Sequence, residues 1–434
     1  LDYDVIVVGA ATTGAVAAKK LSEKGFKVLL LDAKPKEQIG NKACGDAIGE
    51  EDLKKAGVSL PSSVIRERII GADLISPDGK TVFRIKGYGY TVDRIGLGSA
   101  LIEEAESSGS KFVGNFHVDA PIIRDGRVIG VKGKEEITSR VVIDASGNKT
   151  KLRAALPDDW GVEKTVEKRD AVAAYRVIIE DMKPPIEHSY LRLIFDQNTS
   201  PGGYIWLFPE GRLSNVGLGV TMIGNYPNPK IATENWIKGK YEGKIVVGSG
   251  DTVPTRRPFA TMVGNGILLA GDAAATVNPV TGGGIGSGML SAKIAVEAVA
   301  KALDEADLPG INDLWRYNVN YMKEYGVKQA GLDVFRRFLI RLSNDDINFG
   351  MSSGIMDEET VTKAAVTGVV NINLRKEAEI VIKALKRPSI LLKLRQMASD
   401  VKAAMEIYSE YPDNFSGFWQ WRKRADAFFA NLSY

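Results

Sequence analysis

The sequence predicts an α/β protein in three parts: a parallel-sheet unit of β-α-β type, an antiparallel sheet inserted into it, and a helical C-terminal region. Three observations predict it. Between Asp4 and Asp32 an apolar run, a glycine-bounded turn, a helical stretch and a second apolar run follow one another directly. From Ala171 the pattern changes to successive strand-like segments joined by turn residues, with no helix between them. From Asn312 to Tyr434 it is mostly helical, with Pro388 and Pro412 as breaks.

The first stretch carries the most information. Val5, Ile6, Val7 and Val8 form a β-branched apolar run, as in a strand buried on both faces. Gly9-Ala10-Ala11-Thr12-Thr13-Gly14 follows, then a helical Ala15 to Lys24, a break at Gly25, and a second strand that closes on Asp32. This is the dinucleotide-binding pattern. Gly9 permits the tight turn and Gly14 lets helix and strand pack closely. The helix N-terminus turns backbone N–H groups toward a pyrophosphate. Asp32 is placed to accept hydrogen bonds from a ribose. Ala11 stands where the pattern has its middle glycine, and its methyl crowds a pyrophosphate without excluding it.

Beyond Asp32, a small-residue loop, Asn41-Lys42-Ala43-Cys44-Gly45-Asp46-Ala47, either approaches a cofactor or is a connector with a buried cysteine. Ile69 to Lys86 alternates about Pro77-Asp78-Gly79 and reads as a hairpin. Thr91-Val92-Asp93-Arg94 leads into a helix from Ile95 to Ser107. Val128 to Val131 and Arg140 to Asp144 are strands that return to the first sheet, and Asp144-Ala145-Ser146-Gly147-Asn148 is a small-residue turn suited to a ligand.

In the second part, Ala171–Ile179, Ser189–Phe195, Gly203–Phe208 and Ser214–Val220 read as four strands. Alternation puts Tyr204, Trp206 and Phe208 on one face, which is either the sheet's own core or an apolar wall over a substrate. Gly266 to Asp272 then returns to the nucleotide unit as a buried strand ending in an acid. Asn278 to Gly286 is a glycine-rich turn and Ser287 to Leu303 a helix whose first N–H groups face whatever Asp272 binds. The resulting units are 1–65, 88–150 and 251–305 for nucleotide binding, 66–87 and 151–250 for the inserted sheet, and 306–434 for the helical region. The segment Phe415 to Arg424 mixes aromatics with Arg422, Lys423 and Arg424; it either meets a membrane headgroup boundary or packs helices.

Composition narrows the function classes. With 434 residues, 44% hydrophobic, 26% charged and a formal charge of +3, the chain reads as an ordinary globular protein without a nucleic-acid partner. Cys44 is the only cysteine, so no intramolecular disulfide forms, which suits a reducing, cytoplasmic setting. The first strand begins by Asp4, so no signal peptide is expected, and no apolar run is long enough to span a bilayer. Two histidines, His117 and His188, supply neither a His triad nor a His-rich metal site, and no metal is expected.

The N-terminal pattern together with Gly271-Asp272 resembles the two-part FAD site of flavoprotein hydroxylases and their relatives. The resemblance implies a Rossmann-type FAD-binding domain. Gly9, Ala11, Gly14 and Asp32 would hold the ADP moiety and Asp272 the ribityl chain. Arg94 resembles the arginine this superfamily places near the flavin. The helix opened by Gly283, Gly284 and Ile285 is implied to point at the pyrimidine side, where it would stabilise an anionic reduced ring. Asp144-Ala145-Ser146-Gly147 is similar to the hydroxylases' Asp-Gly motif, with Ser146 where they carry Asp.

Within the superfamily the chain resembles the geranylgeranyl reductases. Pro201 and Tyr204-x-Trp206-x-Phe208-Pro209 resemble their signature, and Lys42-x-Cys44-Gly45 their cysteine loop, over roughly residues 1 to 300. The family implies FAD, a long apolar tunnel, and reduction of isolated C=C bonds in geranylgeranyl chains of archaeal membrane lipid precursors. Cys44, Tyr204 and Trp206 would line the reacting side, with Cys44 and Gly45 also beside the flavin. The electron donor is left open between NAD(P)H and a ferredoxin-like protein, and the membrane contact is peripheral, on the inner face. Two other readings share the scaffold. One is an aromatic monooxygenase or halogenase; flavin halogenases carry an aromatic-x-Trp-x-Ile-Pro strand where this chain ends in Leu207-Phe208-Pro209. The other is a flavin-bearing lipid-binding protein without turnover.

Overall fold

The computed structural model describes residues 1–355, 357–367 and 387–433. Parts of the predicted helical region, residues 356, 368–386 and 434, lie outside the described residues.

The β-α-β unit forms as its pattern predicts, with β1 (Tyr3–Val8), α1 (Thr12–Glu23) and β2 (Val28–Leu31). Val5 to Val8 and all of β2 are buried, as their apolar runs predict for strands covered on both faces. The cysteine loop ends in a short strand, β3 (Ala47–Gly49), followed by α2 (Glu50–Ala56). The hairpin is longer than its alternation suggests: β4 (Ile65–Ile75) and β5 (Val82–Val92) turn at Gly79, whose φ of +70° suits glycine. The carboxylate of Asp93 accepts from the Gly96 N–H at 3.0 Å and so starts α3 (Arg94–Ser107).

Next come β6 (Lys111–Val113), β7 (Ala120–Arg124), β8 (Arg127–Lys132) and β9 (Glu136–Asp144), then a short helix α4 (Lys151–Ala154). The second part contributes β10 (Ala171–Lys183), β11 (Tyr190–Ile194), β12 (Ile205–Glu210) and β13 (Leu213–Thr221). Two elements there were not legible in the sequence: helix α5 (Pro229–Ile237) and strand β14 (Glu242–Pro254). β14 is an edge strand, exposed over most of its length, with Ile245 and Val246 both turned to solvent. Without a buried face it has no hydrophobic alternation to read. The chain then returns through β15 (Val263–Gly264), β16 (Ile267–Leu269) and α6 (Ile285–Glu305).

Two sheets result. The first runs β15-β16-β9-β1-β2-β6, and β16, β9, β1, β2 and β6 are mutually parallel. Register brings Val8 beside Leu31 and Asp144, and Asp144 beside Leu269. The carboxyl ends of these strands therefore open at one edge, where ligands bind in open α/β sheets. The second sheet runs β14-β10-β13-β12-β11-β4-β5-β3 and is antiparallel except where β11 lies parallel to β4. The hairpin β4–β5 and the cysteine-loop strand β3 thus belong to the second sheet. One face of this sheet is closed by α5: Ile205, Leu218 and Val220 pack with Ala232 and Trp236, and Leu207 and Val216 pack with Ile237.

The C-terminal helices pack onto the first unit. Trp315 is buried and stacks on Tyr411 at 5.7 Å between ring centroids. Asp333 is buried between Arg336, Arg337 and Arg257, and these cations outweigh burial and hold its carboxyl below the usual range. Pro388 opens a helix: it occupies the first turn of Pro388–Ser409, where its missing N–H costs nothing. Of the aromatic-basic segment, Phe418 and Trp421 are buried, and the Trp421 indole N–H donates to the Ile407 carbonyl at 2.8 Å. Those two residues pack helices, while Trp419 is 47% exposed.

Candidate active site

The β1–α1 turn is built around close backbone approach. Gly9 has φ of +97°, and a Cβ there would strike the Ala145 backbone. A Cβ at Gly14 would strike the Gly9 carbonyl. Ala11 is the N-cap of α1, with no side-chain cap and no acid in the first turn, so the first-turn N–H groups are left for an anion. Asp32 sits across the turn: one oxygen accepts from the Ala10 N–H at 2.7 Å, the other from the Lys34 N–H at 2.8 Å. Asp144 has a different place from a ligand contact. Its buried carboxylate accepts from the Ser146 N–H and hydroxyl at 3.1 and 2.6 Å and from the Thr150 hydroxyl at 2.5 Å. It thereby fixes the turn that presses on Gly9.

The second glycine-rich segment lies against the first. Gly271 has φ of +63°, and a Cβ there would come within 2.6 Å of the Thr13 hydroxyl; one at Gly288 would come within 2.5 Å of it. Thr13 therefore locks the start of α1 against both the Asp272 turn and α6. Helix α6 begins at Ile285 with Gly284 as its N-cap, again with no side-chain cap and no acid of its own in the first turn. Gly284 lies beside the carboxylate of Asp272: a Cβ there would be 3.4 Å from Oδ1. Gly283 precedes it in the same turn. Residues separated by some 260 positions in sequence thus share one crevice.

Asp272 is not free. Its Oδ2 pairs with the Lys42 ammonium, which also lies 3.9 Å from Asp251. Burial works against the Lys42 charge, but Asp272 and Asp251 together hold its pKa above the ordinary value. This ion pair ties the cysteine loop to the second glycine-rich segment.

The aromatic strand closes the site from the other side. Tyr204, Trp206 and Phe208 do share a face, with ring centroids 6.2 and 6.5 Å apart along the row. It is not the face that α5 covers; the aromatics cluster with Ala174, Leu191, Leu193 and Ala47. Phe208 packs on the cysteine loop, since a Cβ at Gly45 would fall 2.5 Å from its ring. The Tyr204 hydroxyl donates to the Thr281 carbonyl in the glycine-rich turn. Burial, reinforced by Cys44, holds that phenol well above its ordinary pKa, so it stays neutral. Cys44 packs against the main core, and its sulfur accepts from the Asp46 N–H at 3.3 Å. Burial, with the adjacent Asp46, pushes the thiol up to about 11.

Sequence reasoning missed a polar cluster beneath this wall. Asp46, Arg94, Arg176, Glu210 and Asn215 are all buried. Arg176 lies 3.3 Å from Asp46 Oδ2 and Arg94 Nε lies 3.6 Å from Oδ1. Asn215 joins both carboxyls and the Trp206 indole. Burial raises Asp46 to about 6 against the pull of Arg176 and Arg94; burial and the nearby Asp46 raise Glu210 to about 7. Of the five only Arg94, at the start of α3, carries a signal in the sequence; no motif flags Asp46, Arg176, Glu210 or Asn215, because they come from a loop and three separate strands and meet only through sheet register. Among the described residues, Arg94 keeps Nε and Nη1 buried without a hydrogen-bond partner.

Comparison with known proteins agrees with this geometry. The model of the geranylgeranyl reductase catalytic domain matches residues 170–250, the stretch that carries the aromatic strand. The digeranylgeranylglycerophospholipid reductase of Sulfolobus acidocaldarius is 39% identical over 98% of this chain and 97% of its own length. That of Methanothrix thermoacetophila is 30% identical over 86% of this chain and 96% of its own. A geranylgeranyl bacteriochlorophyll reductase-like structure from Thermoplasma acidophilum superposes with a TM-score of 0.75 at 22% identity, covering 91% of this chain and 99% of that one. A flavin-dependent brominase superposes with a TM-score of 0.66 at 18% identity, over 91% and 99% of the two chains; it shares the fold alone. On whole-length identity, and on the placement of the aromatic strand beside the cysteine loop, the chain belongs to the geranylgeranyl reductase family, with the digeranylgeranylglycerophospholipid reductases.

Proposed function

We propose that this chain is an FAD-dependent oxidoreductase that saturates isolated C=C bonds in geranylgeranyl chains of archaeal membrane lipid precursors. The observation that carries the reading is the wall made by Tyr204, Trp206, Phe208 and the Cys44 loop, joined to the glycine-rich turn through Tyr204 and to Asp272 through Lys42. In this reading residues 1–65, 88–150 and 251–305 hold the cofactor, and 66–87 and 151–250 shape the substrate side.

The residues present fit a flavin dinucleotide. Two uncapped helix starts, at Ala11 and Gly284, and glycines that tolerate no Cβ leave room for close backbone approach. Gly9, Ala11, Gly14 and Asp32 would hold the ADP moiety and Asp272 the ribityl chain. Arg94, whose buried Nε and Nη1 have no hydrogen-bond partner, Gly283, Gly284 and Ile285 would face the ring, and Cys44 and Gly45 its substrate side. When bound and reduced, the flavin supplies a hydride equivalent.

A trisubstituted alkene is a poor hydride acceptor, so the protein must supply position and dryness. Trp206 and Phe208 are buried and Tyr204 is neutral, which makes an apolar, water-poor surface for a prenyl chain. One alkene carbon takes hydride and the other a proton. Cys44, with its thiol near 11, is a weak acid for that step and a good wall group. The whole-length relatives support the reductase reading over halogenation, since the brominase shares only the fold. Among the described residues no helix is long and apolar enough to cross a membrane. In this reading the lipid substrate is reached by peripheral contact with the membrane face.

The test is direct. Purified protein should carry FAD released on denaturation. Chemically reduced protein, incubated without oxygen with a geranylgeranyl phospholipid, should yield product gaining two hydrogens per double bond by mass spectrometry. A protein that neither holds FAD nor can be reconstituted with it would contradict the reading.

A further inference from the structure

Asn215 occupies a place that no motif marks. It lies on β13, is fully buried, pairs across the strands with Phe208, and reaches both Trp206 and the Cys44 loop. Its Oδ1 accepts from the Trp206 indole N–H at 2.9 Å. Its Nδ2 lies within hydrogen-bond distance of three acceptors: the Cys44 carbonyl at 2.9 Å, Glu210 Oε1 at 3.0 Å and Asp46 Oδ2 at 3.1 Å. The chemistry of the neighbours fixes this orientation, since an indole can only donate and the Cys44 carbonyl can only accept.

The count of protons makes the arrangement conditional. An amide NH2 has two protons and here faces three acceptors. An ionised carboxylate claims a donor more strongly than a neutral carboxyl does. The Cys44 carbonyl therefore keeps its hydrogen bond best while one of the carboxyls is protonated. The charged groups around the pair are unequal. Asp46 faces Arg176 from β10 and Arg94 from α3, with Asp93 nearby and the Cys44 thiol beside it. Glu210, at the end of β12, has Asn215 as its hydrogen-bond partner; Asp46 opposes its charge and Arg176 and Arg66 attract it only at longer range. The geometry favours Glu210 as the carboxyl that holds the proton: Asp46 has Arg176 and Arg94 at 3.3 and 3.6 Å, whereas among the described residues Glu210 has no cation within ion-pair distance.

We propose that Asn215 is a positioning residue that fixes the Cys44 loop against the aromatic strand, and that ionisation of Glu210 loosens this link by drawing the Asn215 amide away from the Cys44 carbonyl. The role of that wall in lipid reduction rests on the function proposed above; the link itself does not.

Cys44 reports on the loop without ambiguity, because it is the only cysteine. The FAD-loaded enzyme would be treated with a small uncharged maleimide, and modification followed by mass spectrometry across pH. A thiol whose surroundings stay fixed gains reactivity only as its thiolate fraction rises. The wild type should show an additional rise centred near pH 7, where Glu210 titrates. Glu210→Gln, which keeps an acceptor but cannot ionise, should lack that rise. Asn215→Ala should raise the rate roughly tenfold below pH 6, as expected for losing one hydrogen bond that holds the loop closed. Its lipid products should shift toward partly reduced species. FAD content and melting temperature show whether each variant is folded; if Asn215→Ala does not retain FAD, the comparison of wild type with Glu210→Gln decides. Identical pH profiles for wild type and Glu210→Gln, or an unchanged thiol rate in folded Asn215→Ala, would overturn the proposal. Loop loosening without any lipid reduction would count against the proposed function and leave this link standing.

Discussion

At the scale of single residues, the site is defined by groups held away from their ordinary protonation. Cys44 is the plainest case. A thiol near 11 is neutral at physiological pH and gives up its proton reluctantly. Loss of a general acid typically costs about 100-fold or more in rate. Cys44→Ala and Cys44→Ser should instead keep alkene reduction within roughly tenfold of wild type and change which double bonds are reduced. Single-turnover rates and product patterns of the three proteins check this. Glu210 gives a stability prediction. Its folded pKa, about 7, lies above its unfolded value, so the folded state binds the extra proton between the two. That contribution is complete below the unfolded pKa, about 4.5, and is lost as pH rises through about 7. Its size is roughly 3 kcal/mol at most, from a shift of a few pKa units. Glu210→Gln should therefore gain stability relative to wild type as pH rises from 5 to 8, measured by denaturant melts; parallel curves would show that Glu210 does not titrate in this window.

At the scale of elements, two segments far apart in sequence pack closely together. Thr13 at the start of α1 meets Gly271 and Gly288, so the Asp32 end and the Asp272 end of the crevice are fixed together. Asp272→Ala should weaken FAD retention, because it removes a carboxylate from the crevice and leaves the half-buried Lys42 ammonium with only the more distant Asp251. Dialysis of the yellow protein followed by absorbance measures the loss; full retention would remove Asp272 from the cofactor site. These elements were legible because each is local. A strand–turn–helix–strand run from Asp4 to Asp32, an acid after an apolar strand, and alternating aromatics at Tyr204, Trp206 and Phe208 each express themselves within one continuous stretch of sequence. The polar cluster was not legible for the opposite reason. Asp46 belongs to a loop, Arg176 to β10, Glu210 to β12 and Asn215 to β13, and each reads locally as an unremarkable polar residue. Only the register that sets Arg176 beside Gly217 and Phe208 beside Asn215 brings them to one point. Strand β14 escaped notice because its exposure removes the alternation on which strand assignment depends.

At the scale of the molecule, the arrangement is a parallel sheet and a curled second sheet meeting at the Cys44 loop, with C-terminal helices packed on the first. The helices use most of the aromatics that had suggested a membrane contact: Phe418 and Trp421 are buried, and Arg424 pairs with Glu410 at 2.5 Å. Trp419, with the Arg422 guanidinium 5.5 Å from its ring centroid, is the exposed aromatic of that helix. Trp419→Ala should lower flotation with anionic liposomes by roughly tenfold, the scale of one interfacial indole, with an unchanged melting temperature. Equal flotation would rule out Trp419 as a membrane contact. The central claim, that the crevice and the aromatic wall form one reductase site, is tested most directly by a single turnover. Reduced, FAD-loaded protein is mixed without oxygen with a geranylgeranyl phospholipid, and flavin absorbance and lipid mass are followed together. The account predicts that one flavin is reoxidised for each double bond saturated. Flavin that stays reduced while the lipid remains bound and unchanged would contradict it.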